Sequence, residues 1–414
     1  MIKNDDVSRR GFFAAALAPA GAAAAAVADP ARAAAQAAGV KPRDLPDLTI
    51  KQVKVYVVDP GGGTAAAKRG AGQIASVVTN SGLEGNYRLA TRYFHPNWSN
   101  LGWLEYARRA LVGKSVLDLP VLTSQYAPVL RRIGQNSYAS AIDTCLWDIL
   151  GKAVGLPVYR ILGAYRDRVL AYASSQHHQT VEAFVNEVRE CKDQGFKAYK
   201  IHPPSTPRGG ADYKLDMEVC KAVREAAGKD FLLLMDPVGV YTREHALKVG
   251  RLLEELDFAG YEDPIPTSDI DGLAQLCQAL DIPVHIGEFI FSPYNYAEYI
   301  RRGALDVVRF ITDNVGGITG GMKVARLAEC FAMECAPHNW GDAFDHAVHF
   351  HCELAMPNNV WFEMTVPQGT SDRPYMKDRI RIAADGYVYA PTKPGLGYEI
   401  DRDALEKMIK RIDT

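Results

Sequence analysis

The sequence predicts an α/β protein in which a parallel (β/α)7β barrel follows an N-terminal α+β capping unit completed by the C-terminal segment. Three observations carry this. Short apolar runs alternate with amphipathic stretches from residue 168 onward. Acidic residues close three successive runs at one interval. The 414-residue chain is also too long for one small domain and suits a large barrel with an addition.

Residues 1–40 stand apart from the rest. Ser8-Arg9-Arg10-Gly11-Phe12-Phe13 precedes an alanine- and glycine-rich stretch running to Val27, with small residues suited to cleavage from Ala26 to Ala34. The paired arginines resemble a twin-arginine export signal, so the expectation is a periplasmic protein delivered already folded. A low-complexity tail is the alternative. The stretch is too rich in alanine, and too interrupted by Pro19 and Pro30, for a stable membrane span.

Residues 45–165 read as the α+β unit. LTIKQVKVYVV at 48–58 alternates like a strand, and IASVVT at 74–79 reads as its partner. Apolar residues then recur at helical spacing from Trp103 to Leu130. A further helix runs from Tyr138 to Val154 and stops at Gly155.

Residues 168–365 hold eight candidate strands: LAYASS at 170–175, KAYKIH at 197–202, FLLLMD at 231–236, FAGYE at 258–262, PVHIG at 283–287, LDVVRF at 305–310, ECAPH at 334–338 and NVWFE at 359–363. Seven helical segments fill the gaps. A doubly wound open sheet competes, but no GxGxxG turn follows a strand. Residues 371–414 read as a hairpin (IRIAADGYVYA) and a final helix that return to the first unit.

Composition excludes some functions. A formal net charge of −2, with no basic run, gives no field for nucleic acid or an anionic membrane. The seven cysteines fall singly, without a CxxC pair, and read as buried thiols.

The chemistry lies in the interval. Asp236, Glu262 and Glu288 close the third, fourth and fifth strands, and both steps are 26 residues. One β/α unit is about that long, so the three carboxylates come to equivalent places at the C-terminal mouth, where barrels build active sites. They would repel one another without a cation, and hard oxygen ligands with room for water and substrate suit Mg²⁺ better than Zn²⁺. Caps for the following helices are the plainer alternative. On the second strand Lys200 and His202 share one face. Burying them requires a task or a partner, and one such partner is a metal carboxylate. His338 and Glu363 end the seventh and eighth strands, 50 and 25 residues further on, in the same rhythm.

These stretches, with AIDTCLWDILGKAVGLPVYRILGA, GFKAYKIH, YEDP, PVHIGE, VGGITGGMKVA, APHN and PGLGYEID, resemble the enolase superfamily in its mandelate racemase/muconate lactonizing branch, from residue 45 onward. The resemblance implies Asp236, Glu262 and Glu288 as ligands of one Mg²⁺ per site. It places Lys200 and His202 at the lysine-x-lysine positions, His338 opposite as acid/base, and Glu363 as a hydrogen-bonding electrophile. It also implies capping loops near 70–73 and 84–100 that close over substrate. Tyr93, His95, Trp98 and Trp103 there are candidates for contacting a polyol, or are packing residues.

Three departures follow. His202 replaces the second lysine. Ile311 stands where the family has an aspartate behind the opposite histidine, with Asp313 two residues later as a possible substitute. Val238 stands at an often polar position. The expectation is proton abstraction beside a carboxylate with β-elimination of water from a sugar acid, His202 as base and Lys200 second, and His338 as acid to the departing hydroxyl. Cycloisomerisation or epimerisation through the same enolate is the close alternative, and an inactive exported binder the distant one. A small-molecule acid and a homo-oligomer are the expected partners.

Overall fold

The computed structural model describes residues 45–59, 72–89, 100–132, 134–206 and 209–414. The export segment lies outside them, as do residues 90–99 with Tyr93, His95 and Trp98.

Three strands, β1 (Ile50–Val58), β2 (Gly72–Thr79) and β3 (Glu84–Arg88), form an antiparallel meander. Four helices follow: α1 (Asn100–Leu111), α2 (Leu119–Arg132), α3 (Asn136–Val154) and α4 (Val158–Gly163). The apolar run from Trp103 to Leu130 is thus two helices. Gly113, at φ +81°, and Ser115, whose hydroxyl accepts from Leu117 N, break it. Gly155 ends α3 in the left-handed conformation (φ 73°), which costs glycine nothing. Trp103 is fully buried, and its indole N–H donates to the Tyr138 carbonyl at 3.2 Å, so it packs α1 on α3 and is closed to a polyol.

The barrel strands are β4 (Arg168–Ser174), β5 (Ala198–Ile201), β6 (Leu232–Met235), β7 (Gly260–Glu262), β8 (Val284–Ile286), β9 (Val307–Val308) and β10 (Trp361–Thr365). They pair in parallel in the order β10-β4-β5-β6-β7-β8-β9. Between them run α5 (Val181–Asp193), α6 (Tyr213–Ala227), α7 (Arg243–Glu255), α8 (Ile270–Ala279), α9 (Tyr296–Arg301), the short α10 (Thr312–Val315), α11 (Gly317–Cys330) and α12 (Ala343–Ala355). Side-chain caps at Thr180, Asp212, Thr242, Asp269 and Asp342 start five of these helices.

The expected seventh strand is reduced to one bridge, Val308 to Cys335. Segment 334–338 does run beside β9, since Ala336 N–H donates to Val308 O at 2.8 Å and His338 N–H to Phe310 O at 2.9 Å. Toward β10 only Cys335 N–H finds a carbonyl, that of Asn358 at 2.8 Å. The next amide on that side belongs to Pro337, which has no hydrogen to give, so the ladder stops.

The C-terminal segment differs from its hairpin-and-helix expectation. β11 (Tyr387–Tyr389) pairs antiparallel with β4, and α13 (Arg402–Met408) leads into β12 (Ile409–Asp413), which pairs with β1. The segment therefore touches both sheets. All seven cysteines are free thiols; six are buried, but Cys330 is exposed because α11 ends there at the surface. Among the described residues no helix is long and apolar enough to cross a membrane.

Candidate active site

Each of the three in-phase acids ends or follows a strand and sits beside a residue in a positive-φ conformation. Val238 (φ 57°) and Asp263 (φ 36°) follow Asp236 and Glu262, and Gly287 (φ 148°) precedes Glu288. A side chain at Gly287 would place its Cβ 2.0 Å from the Arg309 carbonyl, so the close approach of β8 to β9 requires glycine. The N-cap positions of the helices after these strands are Thr242, Asp269 and Asn295, so none of the three acids serves as a cap.

Instead the three converge. One oxygen from each of Asp236, Glu262 and Glu288 lies within 4.8 Å of the others, and all three residues are buried. Glu262 Oε1 and Glu288 Oε2 are buried, the first 2.7 Å from Arg309 Nε and the second 3.0 Å from His338 Nε2. Three carboxylates converging in a buried, all-oxygen set are what a hard divalent cation satisfies, so these residues fit Mg²⁺.

Lys200 is fully buried on β5, with Nζ 2.8 Å from Glu262, 2.7 Å from Glu363 and 3.5 Å from Asp236. Burial alone would depress its pKa, but the Glu262 and Glu363 carboxylates outweigh that and hold it well above the usual lysine value. Glu363 uses both oxygens on the protein. Oε1 accepts from the Ser174 hydroxyl at 2.8 Å and from Lys200; Oε2 accepts from Arg309 at 2.8 Å and Asn339 N–H at 2.7 Å. Burial would raise its pKa, yet Lys200 and Arg309 hold it well below the usual range. Glu363 is thus held as an ionised carboxylate by four donors.

Arg309, just past β9, is the group that sequence reasoning missed. It is 1% exposed, bonds Glu363, and its Nε lies 2.7 Å from Glu262 Oε1. Lys200 and Arg309 therefore alternate with Glu262 and Glu363 in a ring of four charges. The only signal was an arginine inside an apolar run. Beneath the ring, Tyr172, His285 and Glu334 line a small void with Arg309, and burial pushes Glu334 up to about 7 and His285 down to about 3.

The two histidines flank the cluster. His202 Nε2 is 3.1 Å from Asp236, and its Nδ1 is 2.8 Å from the Ser175 carbonyl. His338 Nε2 is 3.0 Å from Glu288, and its Nδ1 receives the Trp340 backbone N–H at 3.4 Å. Asp313 does not stand behind His338; it bonds Tyr87 and Arg88 of the capping sheet. The rings of His177 and Trp340, also missed, lie 5.2 and 5.6 Å from that of His202. A separate cavity of about 340 Å³ lies outside the barrel, between α12 and the C-terminal segment, and includes none of these groups.

The fold and the cluster define a capped (β/α) barrel whose strand ends present three convergent carboxylates between two histidines. The chain belongs to the family described as enolase C-terminal domain-like, whose sequence profile matches residues 183–404. It is similar to an arabinonate dehydratase from Saccharolobus solfataricus, 31% identical over 283 residues, 67% of this chain and 74% of that protein. It is equally similar to a D-galactarolactone cycloisomerase from Agrobacterium fabrum, 31% identical over 311 residues, 71% of this chain and 81% of that protein. In structure it resembles D-glucarate dehydratase from Agrobacterium tumefaciens complexed with magnesium, with a TM-score of 0.78 and 29% identity, covering 88% of this chain and 100% of that one.

Proposed function

We propose that this chain is a Mg²⁺-dependent sugar-acid dehydratase that removes the proton beside a carboxylate and expels the β-hydroxyl as water, giving a 2-keto-3-deoxy acid. The observation that carries it is the opposed wiring of the two histidines. A carbonyl only accepts, so the hydrogen of neutral His202 sits on Nδ1, toward Ser175, and Nε2 faces the cluster as an acceptor, 3.1 Å from the Asp236 carboxylate that would pair with the imidazolium once it forms. A backbone N–H only donates, so neutral His338 accepts at Nδ1 and carries its hydrogen on Nε2. His202 thus presents an acceptor to the cluster and His338 a donor, which gives up a proton only from its imidazolium form.

Asp236, Glu262 and Glu288 would hold the Mg²⁺, which when bound supplies positive charge to the substrate carboxylate as it becomes an ene-diolate. Lys200, fixed as a cation by Glu262 and Glu363, adds charge of the same sign and is poorly placed to act as base. His202 Nε2 takes the α-proton, and the C–H pair enters the ene-diolate. That pair then forms the α–β double bond as the C–O bond breaks, while His338, as the imidazolium, gives its Nε2 proton to the leaving hydroxyl and becomes neutral. The enol becomes the keto acid by taking a proton at the β-carbon, for which protonated His202 is available, and solvent reprotonates His338.

A cycloisomerase reading is favoured by one observation: two of the relatives, from Agrobacterium fabrum and Streptomyces coelicolor, are cycloisomerases. It differs only in where the second proton goes. The test is the full chain with Mg²⁺ on arabinonate, gluconate, galactonate, galactarate and talarate, following 2-keto acid formation and exchange of the α-hydrogen in D₂O. His338→Asn should stop 2-keto acid formation yet allow exchange, and His202→Asn should stop both. Ring opening or closure without 2-keto acid would select the cycloisomerase. The absence of both exchange and product with every acid would leave only a binder. Export through the Arg9-Arg10 signal is proposed from sequence alone, and a precursor that remains full length in the periplasmic fraction of its host would refute its cleavage.

A further inference from the structure

Arg88 ends β3 of the capping sheet, and its side chain, 13% exposed, reaches two separate segments of the barrel. Nη2 pairs with Asp313 in α10, while Nε and Nη2 both lie 2.6 Å from Asp345 Oδ1 in the first turn of α12. Asp342, which caps α12, is 3.9 Å away. The neighbouring Tyr87 hydroxyl lies 3.1 Å from Asp313 and 3.0 Å from Asp345, close enough to donate to either.

Both segments lead to the cluster. In α10, next to Asp313, the Asn314 side-chain amide donates to the backbone carbonyl of the metal-site residue Glu288 at 2.5 Å. The second segment is the loop from His338 to Asp342, whose far end is held by the Asp342–Asp345 capping box. Gly341 in that loop packs so closely on Asp345 that a Cβ would stand 1.9 Å from its Oδ2. One arginine of the cap thus clamps the loops after the sixth and seventh strands, one behind Glu288 and the other carrying His338.

The charges are uneven. Asp313, Asp342 and Asp345 face Arg88, and Arg373 pairs with Asp342 at 3.3 Å. Arg88 is thus the cation that Asp313 and Asp345 share, and removing it from two buried carboxylates is strongly unfavourable. We infer that Arg88 is a positioning residue for the proton-donating side of the site: seating the cap is what fixes the His338 loop and the Glu288 backbone. The role in catalysis rests on the dehydratase reading; the clamp itself does not.

The test separates the two. Full-length wild type, Arg88→Lys, Arg88→Met and Tyr87→Phe are compared with Mg²⁺ present by hydrogen exchange of peptides covering 84–89, 311–316 and 338–346. Arg88→Met should speed exchange at least about tenfold in both barrel segments, far from Arg88 in sequence, while peptides in β5 and β6 stay protected. Arg88→Lys should recover part of that protection, and Tyr87→Phe should give a smaller rise in the same two segments. Faster exchange confined to 84–89, or none, would overturn the clamp. If Arg88→Met does not fold, Tyr87→Phe and Arg88→Lys decide by the same pattern. If the clamp holds but no sugar acid turns over in wild type, the dehydratase reading fails by itself. If both hold, Arg88→Lys should lower kcat more than it raises KM.

Discussion

From β5 to β8 neighbouring strands pair directly through the backbone, Lys200 against Leu234, Leu234 against Gly260 and Glu262 against His285. From β9 to β10 the sheet thins to the single bridge Val308–Cys335, and side chains bridge the gap: Arg309 and Asn339 on Glu363, and Asn359 on the Cys335 carbonyl at 3.2 Å. The first region brings its carboxylates to the mouth through a continuous backbone ladder. The second depends on ion pairs that neither strand specifies by itself. A regular ladder transmits position through every backbone bond, whereas an interrupted one needs charged groups to restore it.

The contrast makes the regular side the place for the largest functional loss. Glu262→Gln keeps shape and removes charge from the carboxylate cluster, so calorimetric Mg²⁺ binding should weaken sharply, and turnover should fall on the order of 1,000-fold. Excess chelator should reproduce the loss and added Mg²⁺ reverse it. Unchanged Mg²⁺ affinity would mean that the three acids are not the metal site.

The seam should show the largest stability loss. Arg309→Met leaves Glu262 and Glu363 without one of their cations and should cost about 3–5 kcal/mol in urea unfolding. Arg301→Ala, which breaks an exposed pair with Glu298, should cost less than about 1 kcal/mol. Equal costs would show that the ring of charges is decoration and that the bridge alone closes the barrel.

A smaller effect concerns pH. Asp143 of α3 is fully buried against α11, and burial pushes its pKa up to about 7 although Thr319 donates to both its oxygens. Its folded value lies above the unfolded 3.8. The folded state therefore holds the proton more tightly, and this contribution to stability is full at low pH and is lost as pH rises from about 4 to 7. Asp143→Asn should flatten the fall in melting temperature across that window, and an unchanged slope would exclude Asp143 as its source.

By itself the sequence determined the barrel, the capping unit and the three acids. Strand and helix periods are local, and a repeating β/α unit converts a 26-residue interval into a shared place at the mouth. It also placed Lys200, His202 and His338 at that mouth, because position along a strand dictates facing. Tertiary structure decided what these groups are bound to. Arg309 meets Glu363 across 54 residues and Arg88 meets Asp313 across 225, pairings that no local pattern encodes. Asp313 was read as a possible support for His338, yet its side chain turns to the cap, because Arg88 and Tyr87 offer it a cation and a hydroxyl there. The engagement of Glu363 is tertiary too, since four donors from separate segments converge on it. Even the direction of each histidine is tertiary: the Ser175 carbonyl lies behind one ring and the Trp340 N–H behind the other. Spacing brings chemical groups to one place, but the protonation and reach of each depend on neighbours that only folding supplies.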